Sequence, residues 1–170
     1  MPNQQRFINI LLLLTLSACG WQLRDSGLLS ADIGTVHLSS NDTQSYLTED
    51  LRRALDKVGV SVVDLSSQAD YSIVIVNVHH ARRTSTLNSG GRAAEYQLNQ
   101  DVDFLIVDQA GKQLIPQSTV SIEKVFEFDE QDVLASANEE RIIKQQMDQE
   151  TVRQILNRLS QLALNNTAPQ

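Results

Sequence analysis

Apolar residues follow three different spacings along this chain, and each spacing predicts a different element. Near the start they are contiguous. Phe7–Leu16 is a ten-residue run broken only by Asn9 and Thr15. That length suits the core of a secretory signal and is too short for a spanning helix. Two later stretches carry helical spacing. Leu47, Leu51, Ala54, Leu55 and Val58 fall on one face, with Asn41, Asp42 and Thr43 as candidate N-cap oxygens and Gly59 as a stop. Between Asp132 and Leu164, the residues Ile143, Met147, Val152, Ile155, Leu156, Leu159, Leu162 and Ala163 form a second stripe. Elsewhere the pattern is that of strands. Thr35–Ser39 and Val60–Leu65 are short candidates on either side of the first helix, which suggests a parallel crossover. Tyr71–Val78 is apolar on both parities, as an interior strand would be. From Ala94 to Ile106 the even positions are apolar apart from Gln100, and the odd ones are polar up to Asp103. Asp108–Lys112 reads as a turn. The return strand alternates Val120, Ile122, Phe126 and Phe128 against Thr119, Ser121, Glu123 and Glu127.

These faces predict an α+β domain over 35–164, with two helices packed on one face of a mostly antiparallel four- to five-stranded sheet. The other sheet face is then polar and uncovered. It faces either water or a partner whose own surface is polar and wet.

The residues before this domain indicate a compartment. Arg6 gives a positive leader, the apolar run follows, and Leu16-Ser17-Ala18-Cys19 ends it. This looks like a bacterial lipobox, in which the cysteine is acylated and the peptide is cut before it. Residues 1–18 are therefore expected to be a lipoprotein signal peptide, 19–34 a lipidated tether, and 165–170 a flexible tail. Cys19 is the only cysteine of the chain, so it forms no internal disulfide. More than one acyl chain is needed for stable anchoring, and a triacylated Cys19 meets that condition. Gly20 after the cysteine, where an aspartate would signal retention, resembles the sorting signal for the outer membrane.

Composition narrows the function. The 170-residue chain has net charge −7, and the loss of Arg6 on processing makes the mature form more acidic still. Such a chain is a poor candidate for nucleic-acid binding. No phosphate-binding glycine loop, nucleophile elbow or zinc-protease motif is present, so no catalytic residues are assigned and the reading is not an enzyme. His79 and His80 are adjacent on a strand and point to opposite faces, which disfavours a shared metal; no metal or other cofactor is expected.

One charge feature stands out. The 24 residues between Asp70 and Glu95 contain no acid, but hold Arg82, Arg83, Arg92 and two histidines. If Tyr71–Arg83 and Arg92–Val107 pair as a hairpin, these three arginines converge near its tip. Arginine forks suit phosphate oxygens. The island is either a site for an anionic ligand, such as a phosphorylated glycolipid, or a solubilising loop.

Several segments, in order along most of the mature chain, carry a resemblance. They are Cys19-Gly-Trp-Gln-Leu-Arg24, Leu51-Arg-Arg-Ala-Leu55 with Gly59-Val60, Ala94-Glu-Tyr-Gln97, Lys124-Val-Phe126, Asn138-Glu-Glu140, Ile142-Ile-Lys144 and Leu159. With these, the sequence resembles the LPS-assembly lipoprotein family LptE. The resemblance implies a non-enzymatic outer-membrane lipoprotein. It would plug and help assemble the large β-barrel LptD, sit within the barrel lumen, and bind lipopolysaccharide for delivery to the outer leaflet. The chain departs from the family where basic positions implicated in lipopolysaccharide contact fall on Ser89 and Ser136. Arg82, Arg83 and Arg92 are the substitutes suggested by charge. The same fold pattern would also fit a periplasmic auxiliary lipoprotein of an ABC-type lipid exporter, a reading separated from the first by the identity of its partner.

Overall fold

A computed structural model describes residues 33–41 and 46–167. The signal peptide, Cys19 and most of the tether lie outside the described residues, as do the candidate caps Asp42 and Thr43 and the end of the tail. The elements run in the order β1 (Thr35–Ser40), α1 (Leu47–Lys57), β2 (Ser61–Val63), a single 3₁₀ turn (Ser66–Gln68), β3 (Tyr71–Leu87), β4 (Ala93–Asp108), β5 (Gln113–Glu127) and α2 (Val133–Thr167). The sheet has five strands in the order β2-β1-β3-β4-β5. β1 is parallel to both β2 and β3, while β3, β4 and β5 are antiparallel. The expected α+β class holds, as a mixed sheet whose larger part is antiparallel.

Each helix is local chemistry plus one apolar face. α1 buries Leu47, Leu51 and Leu55, one every turn, against the sheet. It ends where Gly59 takes a left-handed conformation at φ 79° and Val60 N–H donates back to the Leu55 carbonyl at 3.1 Å. Its start differs from expectation. Tyr46 occupies the cap position and makes no side-chain cap bond. α2 starts on Asp132, whose carboxylate accepts the Ala135 N–H at 3.0 Å. It continues to Thr167, three residues past the expected end.

The core lies on one face of the sheet, between it and the helices. Val36 and Leu38 from β1, Ile73 and Ile75 from β3, Val102, Phe104 and Ile106 from β4, and Val120, Ile122 and Phe126 from β5 meet Met147, Ile155 and Leu159 of α2. Each such side chain contributes about 1.5–3 kcal/mol on burial. Ile33, in the stretch read as tether, is also in this core, so the packed domain begins before β1. β1 is pinned to β3 at its start: Thr35 N–H and Oγ1 donate to Asp70 Oδ2 at 2.8 and 2.9 Å.

The long hairpin exceeds its expected length. β3 continues past Val78 through Leu87, pairing with β4 down to Ala93. A bulge at Val76 explains why both parities of its first half are apolar. Before it, Ile73 and Ile75 face the helices; after it, even-numbered residues do, because one extra residue reverses the alternation. β1 pairs only with Tyr71–Ile75, so the last twelve residues of β3 carry the hairpin well beyond β1. At about 3.3 Å per residue that overhang is about 40 Å.

Candidate functional site

Strand alternation decides where the arginine island points, and it splits the island. Arg82 is registered with Leu98 and therefore lies on the helix side; Arg83 is registered with Gln97 and lies on the open side. Arg82 donates to Glu140 Oε2 of α2 at 2.9 Å and stacks 4.6 Å from the centroid of the Tyr96 ring. Arg83 Nε donates to Gln97 Oε1 at 3.0 Å, with Glu123 Oε2 3.8 Å from its guanidinium. Arg92, past the tip, reaches Glu130 Oε2 at 2.8 Å. The three arginines are thus at one end of the hairpin without converging on one point, and each has a carboxylate within 4 Å. Ser89 lies in the exposed tip, whereas Ser136 is buried and its Oγ accepts the Asp129 N–H at 3.0 Å.

The helix side holds a second cationic surface, which the residue pattern of single elements did not reveal. Arg82 and His80, two residues apart on β3, line a small pocket with Glu140 and Lys144 of α2. His80 and Lys144 also line the adjoining cleft between α1 and α2, with Arg53, Arg141, Asp50 and Asp148. That cleft has a volume of about 650 Å³. Across Asp50 and Arg53 lies a second space of about 500 Å³, whose walls include Ala54, Val58, Val152 and Leu156. Only assembly brings these together, because Arg53 and Arg141 are 88 positions apart on different helices. The helical signal available was the spacing of Arg141 and Lys144, one turn apart on α2.

Two carboxylates set the electrostatics here. Burial raises the Glu140 pKa, but hydrogen bonds from Lys144 and Arg82 outweigh it, and the net effect holds Glu140 below its ordinary value. Asp148 goes the other way: burial pushes it up, against a 2.7 Å hydrogen bond from Gln100 Nε2. Gln100 is the one polar residue in the apolar row of β4. It is fully buried, and its carbonyl oxygen accepts from Thr151 Oγ1 at 3.5 Å. This exception to the alternation is therefore a hydrogen-bonded link between sheet and helix.

The opposite sheet face is polar and bears no helix of the described residues. Thr119 donates to Asp103 at 2.6 Å and Asn99 to Glu123 at 3.3 Å, in rows that continue through Asp101 and Ser121. Among the described residues no group of His, Cys, Asp or Glu is placed to hold a metal ion. No described helix is long and apolar enough to cross a membrane.

The sequence profile of the LptE family, described as lipopolysaccharide-assembly, matches residues 33–159, three quarters of the chain. The chain belongs to the LptE family. Relatives described as LPS-assembly lipoprotein LptE include one from Pectobacterium atrosepticum, 27% identical over 150 residues and covering 88% of this chain and 80% of that protein. Another, from Photorhabdus laumondii, is 24% identical over 170 residues and covers 98% and 91%. The fold recurs in the rare lipoprotein B structure from Shewanella oneidensis, with TM-score 0.69, 24% identity and coverage of 79% of this chain and 99% of that one. It recurs also in a lipoprotein B from Nitrosomonas europaea, with TM-score 0.71, 23% identity and coverage of 87% and 94%. The LptE match spans all five strands, α1 and α2 as far as Leu159, so the hairpin, the inter-helix cleft and the open face all belong to the family domain.

Proposed function

We propose that this LptE-family chain is an outer-membrane lipoprotein, anchored through acylated Cys19, that plugs and helps assemble the LptD β-barrel and binds lipopolysaccharide. The observation that carries the plug reading is the bare polar sheet face. The middle of the face is lined by Asn99, Asp101, Asp103, Ser121 and Glu123, while the part-exposed apolar side chains of Val125 and of the Val74–Leu105 pair sit toward its ends. That polar middle matches the wet, polar interior of a large barrel. Lipopolysaccharide supplies phosphates for the cations at the distal hairpin, of which Arg83 and Arg92 are the more available. Arg82 is already committed to Glu140 and Tyr96, and its substitution would disturb packing as well as charge.

Purification of the tagged, lipidated protein from detergent-solubilised outer membrane tests this reading. One large barrel protein is expected to accompany it in fixed proportion. Recovery with an inner-membrane transporter instead, or with no partner, would favour an auxiliary role in an ABC-type lipid exporter and remove the plug. Within the same preparation, Arg83→Glu with Arg92→Glu should weaken lipopolysaccharide binding severalfold without loss of fold. Unchanged binding at physiological salt would remove these two residues from the ligand surface.

A further inference from the structure

The cleft between α1 and α2 has two chemically different ends. At one end are Arg53, His80, Arg141 and Lys144. At the other, Ala54, Val58, Val152 and Leu156 form an apolar wall, with Lys57 and Arg153 beside it. The two ends share Asp50, Arg53 and Gln149, so they lie side by side between the helices.

The cationic end is incompletely neutralised. Arg53 is paired with Asp50 on its own helix, and Lys144 lies 2.6 Å from Glu140. Arg141 has no carboxylate at ion-pair distance among the described residues. Its guanidinium donates only to Asn138 Oδ1 at 2.8 Å and Gln145 Oε1 at 3.3 Å, both neutral. Asp148 faces the same space and keeps its charge, because its partner Gln100 is a neutral amide. Glu140, however, is shared between Lys144 and Arg82, so the cations Arg53, Arg82, Arg141 and Lys144 still outnumber the carboxylates Asp50, Glu140 and Asp148. The apolar end is also unfinished: Val58, at the C-terminal end of α1, is 44% exposed beside the wall. A purely apolar occupant would strip water from Arg141 without replacing it, at a cost of several kcal/mol for an unpaired charge. A small anion would leave the apolar end in water. An occupant with an anionic group a few ångströms from a hydrocarbon chain satisfies both ends.

We infer that this groove binds an acylated, phosphorylated glycolipid, with a phosphate against Arg141 and Lys144 and the start of an acyl chain along Val58, Val152 and Leu156. The inference rests on the lipopolysaccharide-binding reading and assigns it a surface separate from Arg83 and Arg92. On the helix side, His80 lines both the groove and the small pocket that holds Arg82, whereas Arg83 lies on the opposite side of the sheet.

Binding to the full-length purified protein in detergent tests it, with intact lipopolysaccharide, enzymatically dephosphorylated lipopolysaccharide and inorganic phosphate as probes. Arg141→Gln with Lys144→Gln should weaken binding of intact lipopolysaccharide about tenfold, the equivalent of about 1.4 kcal/mol. The same pair should leave binding of the dephosphorylated form near wild type. Arg141→Lys should restore most of the loss, and Val58→Asn should weaken both lipid forms. Lys112→Gln, in the distant β4–β5 turn, should change nothing. All substituted residues are exposed, and an unchanged thermal transition confirms the fold. If wild-type protein binds lipopolysaccharide and the Arg141/Lys144 variant binds it equally, the groove assignment is wrong while the wider function stands. Inorganic phosphate binding as tightly as the lipid would also overturn it, because the apolar end would then contribute nothing. Failure of the wild type to bind lipopolysaccharide would overturn both readings together.

Discussion

At single residues, the structure turns sequence exceptions into definite interactions. Gly34 stands at φ 70°, and a Cβ there would collide with the Asp70 carboxylate that holds Thr35. Gly34→Ala should therefore cost about 1–2 kcal/mol from the left-handed backbone alone, and more from the displaced Asp70. A lower midpoint in urea, with unchanged slope, would register this. Gln100 interrupts an otherwise apolar row, and the row alone gave no reason for it. The reason is Asp148, some 48 positions later, which became visible only when α2 was laid across β4. Burial raises the Asp148 pKa above its unfolded value, so its ionised form disfavours folding. That penalty is absent below the ordinary aspartate range near 3.8 and grows as pH rises through the folded-state value. Asp148→Asn keeps the acceptor for Gln100 and removes the charge. It should stabilise the protein at neutral pH, with the gain fading as pH falls toward 4; a gain that is independent of pH would contradict the titration as its source.

At the scale of elements, hydrophobic spacing located every strand and both helices among the described residues, because each buries one face and the period of that face is explicit. What it could not locate were events outside the pattern. β3 runs nine residues past Val78 through a stretch with little apolar alternation, held by backbone pairing with β4 rather than by core burial. The same lack of apolar signal left the facing of Arg82 and Arg83 undetermined until the Val76 bulge fixed the parity. The overhanging hairpin is tied to α2 by Arg82, whose guanidinium meets both Glu140 and the Tyr96 ring. Arg82 is half-exposed, so solvent screening limits the ion pair, and the ring contact adds a similar amount. Arg82→Ala should cost about 1 kcal/mol and raise amide exchange chiefly in Ala81–Leu87 and their β4 partners. Uniform exchange across the whole sheet would show that the tie is not local. Glu140 is held below its ordinary pKa, so the stabilisation it gives is full above the carboxylate range and is lost as pH falls through its folded value.

Across the whole molecule, polarity runs along its length. β1 enters beside Tyr71, and β3 carries the chain away from that point to the Gly90–Gly91 tip, so the end joined to residues 1–32 and the hairpin tip are at opposite ends. The fourteen residues 19–32 can span at most about 50 Å when extended. A lipid anchor at Cys19 therefore places a limit on how far the domain can rise from the membrane. Cys19→Ala should abolish acylation and release the protein from the membrane fraction; wild-type fractionation would remove the anchor. The groove belongs to this scale too, because its cations come from β3, α1 and α2 and share no sequence motif.

The plug reading puts the open sheet face inside a barrel. The most direct measurement places a photo-crosslinking amino acid at Ser121, an exposed position in the middle of that face, in cells that retain the lipidated protein. The expected result is one abundant adduct with a single large outer-membrane barrel protein, mapped to residues that face its lumen. An unattached protein, or an adduct with an inner-membrane transporter, would show that this face meets water or another partner and would contradict the plug.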